Sequence, residues 1–151
     1  MGIGRNNGVE GSVSIEQHIA APAHKVGPYI GDFRNAGNWM VGIESVERIA
    51  ENTYRLKLDT PVGKIEPGVS VTEHGDHSVR WMYTSTVEGG GRVEVSPNST
   101  GGCVVSYTGE FKLKRKLLDR AARAVGMERF SRRNGERSLL RLKQLMEARR
   151  Y

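Results

Sequence analysis

The sequence contains a single cysteine and no long hydrophobic run, and both shortages narrow the class of protein. Cys103 lies in an apolar stretch and has no partner in the chain, which favours a buried, inert thiol over a nucleophile. No apolar run approaches the roughly 18 residues of a membrane-spanning helix, and no charged-then-apolar leader precedes the first predicted strand. We therefore expect a cytoplasmic protein that neither spans a membrane nor depends on disulfides.

Familiar catalytic motifs are also missing. The sequence has no Gly-x-Ser-x-Gly nucleophile motif, no Walker-type phosphate loop, no dinucleotide fingerprint and no set of zinc-binding cysteines. His74 and His77 flank a Gly–Asp turn at a spacing that a metal could use, although exposed turn histidines are far commoner. We therefore predict that the protein holds no metal and no cofactor.

Positive charge is concentrated at the C-terminal end. The chain has a formal net charge of +6, and residues 112–151 hold 14 of its 23 Lys and Arg against 4 of its 17 Asp and Glu. The simplest interpretation is a solvated helix face rich in arginine. The alternative is a docking surface for an acidic carrier protein or an anionic membrane. Nucleic-acid binding is the weaker interpretation, because this segment lacks interleaved aromatic residues and a known reading module.

Alternating hydrophobicity dominates the middle of the chain. Residues 1–11 are rich in glycine without periodicity, so we expect a disordered leader before a single domain at 12–148. Period-two alternation, broken by turn residues at roughly ten-residue intervals, predicts an antiparallel meander. The predicted strands are 12–20, 43–50, 53–60, 64–73 with a bend at Pro67–Gly68, 78–86, 92–95 and 103–111, with Gly89–Gly91 as a hairpin turn.

Helical spacing appears on both sides of these strands. Ala21–His24 opens a short helix, in which Gly27–Pro28 predicts a kink or a delayed start, and Arg34–Met40 gives a second brief turn. After the last strand, leucines at 3–4 spacing predict a short helix near 115–125 and a longer one near 127–148. We therefore predict an α+β fold in which a curved antiparallel sheet of about seven strands wraps around a long C-terminal helix, with two short helices after the first strand.

Four local phrases resemble a known superfamily. Ile19–Val26 resembles the "I-x-A-P-x-x-x-V" opening of the SRPBCC (START-like, helix-grip) superfamily, and Asp32–Met40 is similar to its "D-x-x-x-x-x-x-W" helical corner. Val105–Phe111 resembles the final strand of the polyketide cyclase/dehydrase branch, and Ser138–Glu147 its "L-x-x-L-K-x-x-x-E" closing helix. The resemblance extends over nearly the whole chain, and the order of the phrases is more specific than any one of them.

The resemblance implies a deep pocket between the concave sheet and the long helix. It implies binding of a hydrophobic small molecule, polyketide-like or lipid-like, by a carrier or sequestering protein. The alternative activity is that of a cofactor-independent polyketide aromatase/cyclase or dehydratase, which would use pocket residues for positioning and general acid–base catalysis.

Strand parity selects the candidate pocket residues. The facing of strand 78–86 is open, because either Trp81 with Tyr83 or Arg80 with Met82 can point inward. If Arg80 points inward, it is the best group to polarise a carbonyl, and Glu73 is the best candidate for a buried general base. Each tyrosine on this list can also simply fill the core. The predicted ligand contacts are Gln17, Trp39 at the mouth, Tyr54, Leu56, Trp81, Tyr83, Val93, Val95, Tyr107 and Phe130 from the helix.

Overall fold

The computed structural model describes residues 10–61, 63–113 and 127–148, which form one antiparallel sheet and three α-helices. A 3₁₀ turn at Phe33–Asn35 joins the first two helices. The strands are β1 (Glu10–Ile19), β2 (Ile43–Ala50), β3 (Thr53–Thr60), β4 (Gly63–Ile65), β5 (Gly68–His74), β6 (Ser78–Tyr83), β7 (Val87–Pro97) and β8 (Cys103–Leu113), and the helices are α1 (Ala23–Gly31), α2 (Ala36–Trp39) and α3 (Met127–Ala148).

The order of the strands in the sheet determines where α3 and α1 pack. The strands pair in the order β1-β8-β7-β6-β5-β3-β2, and β4 pairs with β3 beside this path. The first strand therefore closes against the last one, and α3 packs over β1 while α1 packs over β6 and β7. The predicted α+β fold, a curved antiparallel sheet with a long C-terminal helix and two short helices, is confirmed. The predicted helix near 115–125 lies outside the described residues, as do residues 1–9 of the predicted leader.

The core lies between the concave face of the sheet and the helices. The alternating side chains of the central strands meet there, so valines at every second position are fully buried. Phe33 links this core to the sheet, with its ring centroid 5.1 Å from that of Tyr54 and 5.6 Å from that of Trp81. Rings at these tilted, close distances add to the stabilisation that burial of their area provides.

The triple glycine does not form the predicted hairpin turn. Gly89–Gly91 lies inside β7 and pairs with β6 and β8, while the chain turns earlier, near Thr86, whose φ is +71°. The reason is steric, because Gly91 lies directly opposite Trp81 and a Cβ at Gly91 would lie 2.3 Å from the indole ring. Glycine within a strand here marks a close approach rather than a turn.

Two other proline–glycine pairs differ in their effect. The predicted bend at Pro67–Gly68 is confirmed, since it separates β4 from β5. Gly27–Pro28, in contrast, lies within α1, which runs through Pro28. A Cβ at Gly27 would lie 1.7 Å from the carbonyl oxygen of Asp76, so this glycine lets α1 pack directly on the turn between β5 and β6.

Gly91→Ala is expected to lower the free energy of unfolding by about 1–3 kcal/mol, because the added methyl group overpacks the Trp81 ring. Urea denaturation measures this loss. The matched control is Gly75→Ala, a site with no heavy atom within 4 Å of the added carbon, which should change stability by less than about 0.5 kcal/mol. Equal denaturation midpoints for both variants would contradict the steric role of Gly91.

Candidate functional site

A cavity of about 150 Å³ lies between the concave sheet and the N-terminal half of α3. A dry cavity of this volume holds one aromatic ring, whereas pockets for drug-sized ligands are commonly about 300–1,000 Å³. Asp59 and Glu110 line it and are exposed, so the cavity opens to solvent at that edge. A ligand larger than one ring therefore has to extend through this opening.

Aromatic side chains form one continuous part of the cavity wall. Trp81 and Tyr107 stack with ring centroids 6.3 Å apart and ring planes 18° apart. Phe33 and Trp39 close the wall from the short helical segments, and Trp39 is only 2% exposed. Trp39 therefore belongs to the interior of the cavity and not to its mouth, where the sequence analysis placed it. Such a wall suits a flat, apolar ligand.

Two glycines let the Tyr107 ring pack closely against β8 and α3. Gly109 on β8 lies where a Cβ would approach the Tyr107 hydroxyl oxygen to 2.6 Å. Gly135 on α3 faces the sheet, and a Cβ there would lie 2.8 Å from Cδ1 of Ile15 and 3.2 Å from Cε2 of Tyr107. The helix therefore approaches the sheet closely at Gly135, and the Tyr107 ring lies under it.

Two phenols bring polar groups to the cavity. Burial raises the pKa of the Tyr107 hydroxyl above its usual range, and the nearby Tyr83 phenol raises it further. Burial also raises the pKa of Tyr83, while a hydrogen bond with the Trp81 side chain acts in the opposite direction. Both tyrosines are therefore neutral phenols at physiological pH and act as hydrogen-bond donors.

The loop between α2 and β2 is fastened to α3 at the edge of the cavity. The Val41 amide donates to Oγ of Ser138 at 2.7 Å, and that hydroxyl donates to the Asn134 carbonyl at 2.6 Å. Asn134 Nδ2 donates in turn to the Val41 carbonyl at 3.4 Å. Gly42 has a φ of +99°, and a Cβ there would lie 2.8 Å from Asn134 Nδ2, so glycine fits this position for two reasons.

The structure brings six of the ten predicted ligand contacts to the cavity. The other four lie elsewhere: the Tyr54 ring packs on Phe33 in the core, and Val93 and Val95 are buried in the core away from the cavity. Gln17 is half-buried, and its Nε2 donates to the His18 carbonyl at 3.0 Å. The six that line the cavity are Trp39, Leu56, Trp81, Tyr83, Tyr107 and Phe130.

Glu73 and Arg80, the candidates for a general base and an electrophile, do not point into the cavity, so the inward facing predicted for Glu73 is wrong. The β5–β6 pairing shifts register after Val71, so Glu73 leaves the inward parity that Val71 follows and is exposed opposite Arg80. Arg80 is exposed as well, because the neighbouring Trp81 takes the inward position. Neither residue reaches the cavity, so neither can act on a ligand inside it. On β6, Trp81 and Tyr83 therefore point into the cavity, and Arg80 and Met82 point to solvent.

The structure gives no support to Cys103 as a nucleophile or to His74 and His77 as metal ligands. Cys103 is buried, and burial raises the pKa of its thiol, which disfavours the nucleophilic thiolate. His74 and His77 are both exposed. Within residues 10–61, 63–113 and 127–148, no three His, Cys, Asp or Glu side chains group as metal ligands would. In the same part of the chain, no helix is both long and apolar enough to cross a membrane.

The sequence analysis did not identify several cavity residues, although some of them have recognisable sequence features. Ser138 is the one buried polar residue of the described core, and it directly precedes the buried Leu139 on α3. Glycines inside predicted strands also indicate close approaches or cavities. The missed lining residues include Val13, Phe33, Met40, Ile43, Leu58, Ile65, Val87, Gly90, Gly109, Asn134, Gly135, Ser138 and Leu139.

A curved antiparallel sheet that closes a cavity against a long C-terminal helix defines the START-like, helix-grip class of proteins. Within it, the chain belongs to the polyketide cyclase/dehydrase and lipid transport family, whose model matches residues 10–147. The resemblance seen in the sequence is thereby confirmed. Its members bind hydrophobic ligands or act as aromatase/cyclases, and the family match does not separate these two activities.

Solved structures show the same fold at low sequence identity. A conserved protein from Geobacillus kaustophilus is 16% identical, with a TM-score of 0.70 over 94% of this chain and 97% of that one. The ZhuI aromatase/cyclase from Streptomyces sp. R1128 is 16% identical, with a TM-score of 0.69 over 93% and 95%. A START superfamily protein from Mycobacterium smegmatis is 16% identical, with a TM-score of 0.59 over 85% and 98%. Among curated proteins, none matches this sequence.

Ser138→Ala is expected to lower the free energy of unfolding by about 1–3 kcal/mol, because it leaves the part-buried Val41 amide without its acceptor. The Val41 amide should also exchange its hydrogen faster. Ser96→Ala, at an exposed position of β7, is the matched control and should change neither quantity. Unchanged exchange at Val41 in Ser138→Ala would show that this hydrogen bond does not hold the loop.

Proposed function

We propose that the protein binds a hydrophobic small molecule, polyketide-like or lipid-like, in the cavity under α3 and acts as a carrier or sequestering protein. The observation that carries this proposal is the cavity wall, in which Trp81 and Tyr107 stack beside Phe33 and Trp39. Removing the apolar surface of a ligand from water against such a wall drives binding without any covalent chemistry. The family description, which includes lipid transport, supports the same proposal.

The placement of the charged groups favours a carrier over a catalyst. The two residues expected to supply a base and an electrophile, Glu73 and Arg80, are exposed outside the cavity. The carboxylates that do line it, Asp59 and Glu110, are exposed at its opening. Among the described residues, Ser138 is the only polar side chain in the buried core. General base catalysis requires a titratable group within reach of the reacting atoms, and the inner part of this cavity offers phenols instead.

The alternative is a cofactor-independent aromatase/cyclase or dehydratase that acts on a polyketide. It is supported by the family description and by the fold shared with the ZhuI aromatase/cyclase. A carrier releases its ligand unchanged, whereas an enzyme releases a product of different mass. Native mass spectra after incubation with a polyketide extract would show an unchanged bound species for a carrier. A product that has lost water or changed mass would identify an enzyme.

Tyr107→Ala tests whether the cavity is the binding site. It removes the ring that stacks on Trp81, so we expect the affinity for ethylbenzene, a probe of one ring, to fall more than tenfold, about 1.4 kcal/mol. Quenching of tryptophan fluorescence measures this affinity, since Trp39 and Trp81 both line the cavity.

The matched control is Val95→Ala, which also truncates a buried side chain of the sheet but neither lines the cavity nor pairs with Tyr107. Val95→Ala should lower stability and leave the affinity within twofold of the wild-type value. If Tyr107→Ala binds ethylbenzene as the wild-type protein does, Tyr107 does not belong to the site. If the wild-type protein binds no apolar probe, the proposed function is wrong.

The outer side of α3 carries a second feature, an arginine row of Arg129, Arg133, Arg137 and Arg141. Their four-residue spacing aligns them over about 18 Å of the helix. All four are exposed, and within the described residues none of them forms an ion pair. Such a row presents unneutralised charge to an extended anionic surface.

We propose that this arginine row docks the protein on an anionic membrane. Leu140, 46% exposed, lies among the arginines and adds an apolar contact. Phe130 and Asn134 lie three residues before Arg133 and Arg137, so they flank the row on the same helix. Both line the cavity, so docking through the row brings the cavity close to the bilayer. An acidic carrier protein is the competing partner, and it would use the same charges.

Arg133→Gln with Arg137→Gln is expected to weaken binding to vesicles of phosphatidylcholine with 30% phosphatidylglycerol about 30-fold, at about 1 kcal/mol per arginine. Arg48→Gln with Arg80→Gln removes the same charge from exposed positions of the sheet and should have a much smaller effect. Cosedimentation at two salt concentrations measures both. Equal losses for the two pairs, or binding that ignores salt, would contradict docking through the row. Binding to an acidic protein without binding to vesicles would favour the competing partner.

A further inference from the structure

We infer that the cavity selects neutral ring compounds that carry a hydrogen-bond-accepting oxygen, such as an aryl or cyclic ketone, and that the hydroxyl groups of Tyr83 and Tyr107 hold this oxygen. The inference rests on the proposed function, because it concerns the ligand of the same cavity. It goes further in naming the chemical class of the ligand and the two residues that determine specificity.

The sheet brings the two hydroxyls to one region of the cavity. Tyr83 ends β6 and Tyr107 lies on β8, with β7 between them. The Tyr107 side chain leans along its strand, so its hydroxyl lies beside Gly109, whose neighbour across the ladder is Gly91. Gly91 in turn lies opposite Trp81. No side chain of β7 separates the two phenols along this line of glycines.

Both hydroxyls have hydrogen available for a ligand. The Trp81 indole N–H, which acts on the pKa of Tyr83 as a hydrogen-bond donor, can only donate and so takes no hydrogen from the Tyr83 hydroxyl. The Tyr83 hydrogen therefore stays available to a ligand. Within the described part of the chain, neither Tyr83 nor Tyr107 donates to a protein acceptor. A carbonyl oxygen has two lone pairs and can accept from both phenols at once.

The charges that the structure describes around the cavity disfavour anionic ligands. The lining residues that the structure describes include no Lys, Arg or His, whereas Asp59 and Glu110 place carboxylates at the opening. A carboxylate or phosphate inside would therefore lose its hydration without gaining a cation, and it would face like charge on the way in. A ketone needs no counter-charge, and a single ring matches the volume of about 150 Å³.

Three probes of similar shape test the inference: acetophenone, ethylbenzene, which lacks the oxygen, and benzoate, which is charged. The wild-type protein should bind acetophenone at least tenfold more tightly than benzoate. Tyr83→Phe with Tyr107→Phe keeps both rings and removes both hydroxyls. This double variant should bind acetophenone at least tenfold more weakly than the wild-type protein and ethylbenzene within twofold of it. Tyr54→Phe, a buried tyrosine outside the cavity, is the matched control and should change neither affinity.

A spectroscopic readout separates hydrogen bonding from a change of shape. The infrared carbonyl stretch of bound acetophenone should lie at lower frequency in the wild-type protein than in the double variant. An unchanged ratio of acetophenone to ethylbenzene affinity in the double variant, or benzoate binding as tight as that of acetophenone, would overturn the inference. Ethylbenzene binding would in that case still support the apolar cavity. If none of the three probes binds, the proposed function and the inference are both wrong.

Discussion

The architecture depends on one steric exchange between neighbouring strands, in which a large indole occupies space that glycine leaves open. Trp81 points into the concave side of the sheet, and its direct partner on β7 is Gly91. The indole can therefore lie across the neighbouring strand, where it reaches the rings of Phe33 and Tyr107. A Cβ at Gly91 would lie 2.3 Å from the indole, so a side chain there would displace the ring. The exchange thus places an aromatic wall against the sheet and leaves the space above it open.

The helix obeys a related constraint, since it must touch the sheet without filling the cavity. Gly135 allows close contact with Ile15 and Tyr107, and the Ser138 hydroxyl fastens the same stretch of α3 to Val41. Further along, Leu139 and Leu142 are buried in the core. A glycine in the middle of a helix lowers helix propensity by about 1 kcal/mol relative to alanine. Tertiary contact offsets this loss, because Gly135 is where the helix meets the sheet.

Sequence periodicity predicted the fold, and six of the ten predicted ligand contacts line the cavity. Strong alternation in β3 correctly placed Leu56 inward, and leucine spacing correctly predicted a helix over residues 127–148. Parity failed at Glu73, because a bulge is a local change of register that composition does not reveal. Parity also cannot tell which inward-facing residues line a cavity, so Val93 was assigned to it although it is buried in the core and does not line it. The triple glycine was misassigned because a turn and a close approach use the same residue.

The chemistry that this cavity can support follows from how poorly an apolar enclosure tolerates charge. Desolvation disfavours an ionised group there unless a partner compensates for it, and the described carboxylates that touch the cavity are exposed at its edge. The phenols of Tyr83 and Tyr107 remain inside because they are neutral, and burial raises their pKa values further from neutrality. They can donate a hydrogen bond to a ligand oxygen but cannot withdraw a proton at physiological pH. The recognition of an oxygen-bearing ring that we infer and the carrier function that we propose thus rest on the same physical cause.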